Sequence, residues 1–268
     1  MLNDWLTMDP DGVIAAGITP VPLPRVLILT PIKDAAAFLD DYCGRLRTLS
    51  YPHDHISLGF LESDSEDDTY PLIVEKLPEL ERTFRRARAW KHDFDYRIPP
   101  DVPRWEYTIQ GQRRSVLAKS RNHLLFHALD DEDWVMWLDV DVIEYPPDLL
   151  ERLLATGRDI VQPHCVTSYG GDTFDLNAWR DKGKFHMHDL RHEGTFVELH
   201  AVGGTVLWIN ADIHRDGLIF PPFPYGHKNR FIRSRQNELE TEGLGIMAID
   251  MGHTAWGMPH LEVLHRPG

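Results

Sequence analysis

Two carboxylates one residue apart, Asp139 and Asp141, stand directly after the apolar run Trp134–Leu138. Successive side chains of extended backbone point to opposite faces, so positions i and i+2 share a side. Two hard oxygen donors on one side suit Mn2+ or Mg2+, and such a cation offsets the charge of a diphosphate brought against them. A departing nucleoside diphosphate is therefore the chemistry to look for. The bland alternative is a pair of surface aspartates that end a buried strand. Position favours the first reading, because ligands of open α/β sheets collect beyond the carboxyl ends of the strands.

Other residues fit the same picture. Arg25–Thr30 reads as a buried strand ended by Pro31, and Ile56–Leu61 as a second that runs into the polar segment Glu62-Ser63-Asp64-Ser65. The two strand-end loops, with Thr30 and Pro31 in one and Glu62 and Asp64 in the other, are placed to surround a nucleotide. Glu62 or Asp64 would meet base or ribose, unless both are ordinary solvated surface. A helix expected from near Gln112 to Leu129 carries Arg114, Lys119, Arg121 and Asn122. The cations can balance a diphosphate, with Arg121 offering a bidentate donor and Lys119 a compact charge. Helical spacing does not put all three on one narrow face. Asn122 would orient nucleotide or sugar, or make a packing contact.

The elements that must position these residues alternate strand and helix. A helix is expected at 35–46, helical character at 75–90 with Arg82, Arg85, Arg86 and Arg88, and a helix at 148–156. Strands are expected at 159–166, 196–199, 205–209, 254–257 and 261–264, and a helix at 240–251. This pattern implies an α/β fold with a mostly parallel, Rossmann-like central sheet and helices on both faces. Residues 1–24 read as an irregular arm and 25–268 as one domain. Stretches 167–194 and 220–231 read as long loops whose aromatics would stack on sugars or anchor the core.

Composition removes several classes. Lys and Arg total 28 against 42 Asp and Glu, a formal charge of -14, which disfavours a nucleic-acid partner. Two widely separated cysteines, Cys43 and Cys165, fit neither a zinc cluster nor a disulfide scaffold and suggest a reducing compartment. No stretch approaches the roughly 20 apolar residues of a membrane span, and no signal-like leader is visible. A cytoplasmic protein, at most peripheral to the inner face of a membrane, is the expectation. Self-association into a homo-oligomer is left open.

Six ordered stretches together resemble the Anp/Van/Mnn-type mannosyltransferase family of fungal Golgi mannan synthesis. They are Val26–Pro31, Glu62–Ser65, Leu117–Asn122, Trp134–Asp141, Val202–Gly204 and Glu240–Gly245. The resemblance implies a GT-A fold, GDP-mannose as donor, a divalent cation, and transfer of an α-mannosyl group with retention to a hydroxyl of a glycan, glycolipid or small glycoside. It also implies that His265 returns to the metal held by Asp139 and Asp141, a role chemically suited to imidazole. Gly203 and Gly204 would admit sugar or acceptor close to the backbone, or simply form a tight turn. Glu240 and Glu242, at the start of a helix, would orient donor hydroxyls or approach the acceptor, Glu242 being slightly favoured for the acceptor side; with Asp141 they form the expected catalytic set. Rival readings are a UDP-sugar-dependent transferase, a nucleotidyl- or pyrophosphate-cleaving enzyme, and a nonenzymatic nucleotide-sugar or glycan-binding subunit.

Overall fold

The computed structural model describes residues 22–103, 106–232 and 238–267, so most of the expected N-terminal arm lies outside the described residues. In chain order the strands are β1 Val26–Ile32, β2 Ile56–Glu62, β3 Arg86–Lys91, β4 Trp134–Leu138, β5 Val142–Glu144, β6 Ile160–Val166, β7 Val197–Leu199, β8 Val206–Asn210 and β9 Ala255–His265. The helices are α1 Leu39–Leu46, α2 Thr69–Thr83, α3 Tyr107–Ala128, α4 Leu149–Leu154, α5 Ala211–Arg215 and α6 Glu240–Asp250. One sheet runs β3-β2-β1-β4-β8-β6-β9-β5, with β7 paired to β9. Strands β3, β2, β1 and β4 are parallel, and β8 enters antiparallel beside β4. Beyond it β6 and β9 are parallel to one another, while β5 is antiparallel to β9.

Side-chain alternation along the central strands makes two separate cores. Val26, Ile28, Met136 and Leu138 pack with α1, α2 and α4 on one face, while Leu27, Leu29, Val135 and Trp137 pack with α3, α5 and α6 on the other. Central strands buried on both faces read as continuous apolar runs, which is why Trp134–Leu138 stood out. Trp137 is fully buried and meets Phe220 edge-on at 4.9 Å between ring centroids. Such a pair adds about 1 kcal/mol beyond its area burial. The indole therefore fixes the last turn of β4 just before the acidic pair.

Two elements differ from expectation. The helical region at 75–90 ends at Thr83, and Arg86–Lys91 is strand β3 at the sheet edge. Its arginines serve the fold: Arg85 and Arg86 both reach the fully buried carboxylate of Glu132, at 3.1 and 2.7 Å. Four cation–carboxylate contacts of Arg85 and Arg86 at this corner, counting Arg86 with Asp130 at 3.0 Å and Arg85 with Asp131 at 2.8 Å, give these two arginines a structural reason. At the other end, the two strands expected at 254–257 and 261–264 are one strand, β9. The expected break is still visible, because β9 slips against β6: Pro163 faces Met258 but His164 faces Glu262. Pro259, His260 and Leu261 bulge out between these pairs, as a proline without an N–H favours.

Buried histidines add a pH dependence to this core. His214 on α5 hydrogen-bonds the Leu218 carbonyl at 2.7 Å, and burial drives its pKa down to about 4. An imidazole of ordinary pKa near 6.5 in the unfolded chain then binds protons that the folded chain refuses. Its contribution is complete above about pH 6.5 and is lost as the pH falls towards 4, an effect of order 3 kcal/mol over the whole window. Comparing wild type with His214→Gln isolates this contribution from groups titrating in the opposite sense. The difference in unfolding free energy, measured by urea titration at pH 7 and pH 5, is expected to narrow by about 2 kcal/mol at the lower pH; an unchanged difference would contradict it.

Candidate active site

A cleft of about 520 Å³ opens beyond the carboxyl ends of β1, β2 and β4. Its walls are the β1 loop from Pro31 to Asp34, Ser63 and Asp64 after β2, Tyr96 to Ile98, one face of α3, and Asp139-Val140-Asp141. The contributing residues of α3 are Arg113, Val116, Leu117, Ser120 and Arg121. These are i, i+3, i+4, i+7 and i+8 positions, a single helical stripe. Arg113 therefore takes the cleft-facing place expected for Arg114. The exposed Lys119 does not line the cleft.

The acidic pair is held from both sides. The Asp139 amide donates to the Thr205 carbonyl at 2.9 Å, and its Oδ1 receives Arg121 Nη2 at 3.2 Å. Asp141 Oδ1 lies 3.0 Å from His265 Nε2, because the β5–β9 ladder sets Val142 opposite His265. The other ring nitrogen, Nδ1, lies 2.6 Å from the Arg266 carbonyl, and the imidazole stacks on Phe174 at 3.9 Å. A proton on Nδ1 satisfies that carbonyl and turns Nε2 towards Asp141, the usual way a backbone contact fixes a ligating histidine.

Charge in the site is balanced closely. Loss of hydration at the foot of the cleft pushes Asp139 up to about 7, with Asp141 and Asp175 adding to the rise and Arg121 and His265 opposing it. Burial alone would lower His265, yet its hydrogen bond to Asp141 and that residue's charge raise it above the ordinary value. A carboxylate that resists ionisation beside an imidazole that prefers a proton describes a site short of positive charge. A divalent cation supplies that charge, and the 3.0 Å gap between Asp141 and His265 equals the edge between neighbouring ligands at about 2.1 Å in an octahedron. The donor set thus fits Mn2+ or Mg2+, although no group of three His, Cys, Asp or Glu among the described residues already forms a cage.

Arg121 is the hub beneath this pair. Its buried guanidinium joins Glu240 Oε1 through Nε at 2.9 Å, Asp139 through Nη2, and lies over the rings of Trp137 and Phe220 at 5.4 and 5.5 Å. Its Nη1 is buried without a protein partner. Gly203 and Gly204 are explained by proximity rather than by the cleft, which they do not line. A Cβ on Gly204 would stand 2.3 Å from Arg121 Nη2, and one on Gly203 would stand 1.8 Å from Asp175 Oδ2.

The remaining residues fall behind the cleft wall. Thr30 is buried with its hydroxyl 2.5 Å from Tyr42, while its neighbour Pro31 lines the cleft. Glu62 is fully buried, accepting from the Ser65 amide at 2.8 Å and Lys91 at 2.5 Å, so it shapes the loop rather than facing a base. Asp64 does line the cleft; it has φ +56° and accepts from the amides of Phe94 and Asp95, stapling the loop 93–98 to the wall. Asn122 clasps the backbone of Phe220 through both its amide atoms, at 2.7 and 2.9 Å. Glu240 begins α6 at φ +54°, a strained conformation for a non-glycine residue. Glu242 is fully buried between Trp179 Nε1 at 2.7 Å and Arg114 Nη1 at 2.5 Å. That placement makes Glu242 and Arg114 a pair that seats α6 on α3.

Several residues escaped the sequence reading. Arg113 shares the α3 stripe with Arg121, a signal present in the eight-residue spacing. Ser63 Oγ and Tyr96 Oη line the cleft as buried hydroxyls without a protein partner. Asp175, in the long 167–194 loop, accepts from the amide and hydroxyl of Thr205 at 3.2 and 2.7 Å and bears on Asp139. No periodicity marks a single aspartate in a loop.

Comparison with known proteins bears on this arrangement. The Anp1 family model matches residues 22–190, well over half of the chain. The chain belongs to the Anp1 family. Among curated relatives of this Anp1-family chain, the mannan polymerase II complex anp1 subunit of Schizosaccharomyces pombe is 28% identical, with 91% of this chain and 64% of that protein covered. The mannan polymerase complex subunit mnn9 of the same yeast is 29% identical, covering 90% and 80%. The chain thus spans less than two thirds of the first of these relatives. A mannosyltransferase from Pyrobaculum calidifontis, solved in complex with GDP-Man and Mn2+, superposes with a TM-score of 0.56 at 15% identity, covering 92% of this chain and 58% of that one. The Anp1-family chain therefore has the GT-A glycosyltransferase fold. Among its described residues no helix is long and apolar enough to cross a membrane.

Proposed function

We propose that the chain is a metal-dependent glycosyltransferase that moves an α-mannosyl group from GDP-mannose to a hydroxyl of a glycan, glycolipid or small glycoside, with retention. The observation that carries this reading is the conjunction of Asp139 and Asp141, with His265 against the latter, in a cleft that also presents the Ser63 and Tyr96 hydroxyls, which have no protein partner among the described residues. Asp141 and His265 would hold the cation, with Asp139 turning from Arg121 to join them. When bound, Mn2+ or Mg2+ neutralises charge on the diphosphate as its bond to the sugar lengthens. Arg113 and Arg121 both line the cleft wall, and guanidinium groups suit the oxygens of a diphosphate. Ser63 and Tyr96 are placed for base or ribose, because a buried hydroxyl gains most from a partner that arrives with the ligand. Retention places the acceptor hydroxyl on the face the diphosphate leaves, with the pocket excluding water from that exchange.

The test is calorimetric titration of GDP-mannose, other GDP-sugars and UDP-sugars, each with and without Mn2+. Selective binding of GDP-mannose that requires Mn2+ is expected. Selective UDP-sugar binding would keep the transferase and replace the donor, whereas no binding of any sugar nucleotide by folded protein would defeat the reading. A second reading has a specific observation behind it: Glu240 and Glu242 are both committed to buried ion pairs, and the fungal relatives are named as subunits of complexes. A donor-binding subunit without turnover would bind GDP-mannose and Mn2+ but transfer nothing across an acceptor panel.

A further inference from the structure

A second hollow, of about 330 Å³, is lined by Glu144 at the end of β5, the residues just after it, Arg152 of α4, Tyr169 and the middle of β9. Its rim combines Tyr169, Glu144, Glu262, His260 and Arg152. Each carboxylate in it is fixed. Glu144 Oε1 receives the Tyr169 hydroxyl at 2.7 Å, and Glu262 receives Arg191 Nη2 and the Gly170 amide at 2.7 and 2.8 Å. The loop that carries Tyr169 is tied down as well, since Thr173 bonds His164 and His188 and Arg191 Nη2 reaches the Gly171 carbonyl. Its apolar side chains nonetheless stay in solvent: Tyr169 is 57% exposed, Phe174 37% and Leu176 55%. Of these, Tyr169 lines the hollow, where its ring is open to a ligand arriving from solvent.

Two links tie this hollow to the acidic pair. The strand β5 leads from Asp141 to Glu144, a run of three residues and so about 10 Å. Phe174, from the same loop as Tyr169, stacks its ring on His265. Aromatic faces cover the C–H faces of a sugar ring, while fixed carboxylates and an arginine take its hydroxyls. A patch of that chemistry, starting at the proposed transfer point and extending about 10 Å, suits an oligosaccharide better than a single sugar.

We infer that the Tyr169, Glu144 and Glu262 hollow is an acceptor subsite that binds the sugar units next to the one receiving the transferred residue. The inference rests on the transferase reading for its role, but its binding step can be tested separately. Wild type, Tyr169→Ala and Glu144→Gln are incubated, with GDP and Mn2+ and without them, on an array of α- and β-linked hexose mono- and oligosaccharides, and nucleotide affinity is titrated in parallel. Retention of disaccharides or longer chains over monosaccharides is expected, weakened at least tenfold by Tyr169→Ala and also reduced by Glu144→Gln, with nucleotide affinity unchanged. A wild type that binds nucleotide but no arrayed glycan, or whose glycan signal survives both substitutions, overturns the subsite and leaves the donor reading standing. A Tyr169→Ala variant that changes only sedimentation assigns the patch to contact between copies and overturns it equally. A wild type that binds no nucleotide defeats the donor reading, while Tyr169-dependent glycan retention in that same protein would still uphold the subsite.

Discussion

Asp141→Asn is expected to reduce transfer by about a thousandfold and to abolish the dependence of donor binding on Mn2+. The amide keeps the size of the side chain and leaves the β5–β9 ladder intact, so the change removes charge rather than structure. Asp141 supplies the carboxylate nearest His265, 3.0 Å from its Nε2, and the site is already short of positive charge on its own. On the proposed function, a cation held there would lose an anionic ligand without that carboxylate, and the stabilisation of the departing diphosphate would fall by several kcal/mol. About 4 kcal/mol corresponds to three decades in rate. Steady-state transfer and calorimetry with and without Mn2+ check it, alongside circular dichroism to show that the fold persists. Transfer within tenfold of wild type, with Mn2+ dependence unchanged, would remove Asp141 from the metal site.

Arg121→Met is expected to be the most destabilising single change near the site, by roughly 3–5 kcal/mol, because it removes one side of a buried ion pair. Methionine fills much of the volume between Trp137 and Phe220, so the loss is electrostatic more than steric. Glu240, almost wholly buried, is left with the Thr241 hydroxyl alone among its side-chain partners, and Asp139 loses the guanidinium that opposes its rise in pKa. Adding Glu240→Gln to Arg121→Met should recover a substantial part of the loss, since the orphaned charge goes with it. Urea unfolding of the two single variants and the double variant measures this coupling as a cycle. Additive losses would mean that Arg121 stabilises through its ring contacts and not through Glu240.

The legible part of the site was the part written in local pattern. The apolar pentapeptide Trp134–Leu138 is strand β4 as its pattern implies, since burial on both faces is a property of that segment alone. Asp139-Val140-Asp141 after it is instead a turn, with the Val142 amide donating to the Asp139 carbonyl at 3.3 Å, and not the extended backbone that would set both carboxylates on one side. The position of His265 was carried by family resemblance, because nothing within ten residues of it announces a partner more than 120 positions earlier. Glu62, Arg114 and Glu242 carry the charge of a binding residue, yet each is paired with a side chain distant in sequence, which local pattern does not reveal. The phase of α3 was missed by one position, since Arg113 and Arg114 are equivalent in composition and only the stripe through Arg121 separates them. Strand β3 was taken for helix because arginine is a good helix former, although Arg86-Ala-Arg-Ala has the two-residue period of a strand edge.

The closing of β9 against β5 carries a consequence for the order in which the protein is made. Asp139 and Asp141 leave the ribosome long before His265, and the strand that delivers the imidazole is paired with partners from the middle of the chain. Such distant pairings form late in folding. A nascent chain with β1 to β4 already collapsed would therefore hold Asp139 and Asp141 without the contact that His265 makes in the folded protein. Strand β9 is the last described strand in chain order, so the contact between His265 and Asp141 is a property of the completed sheet rather than of any earlier part of it.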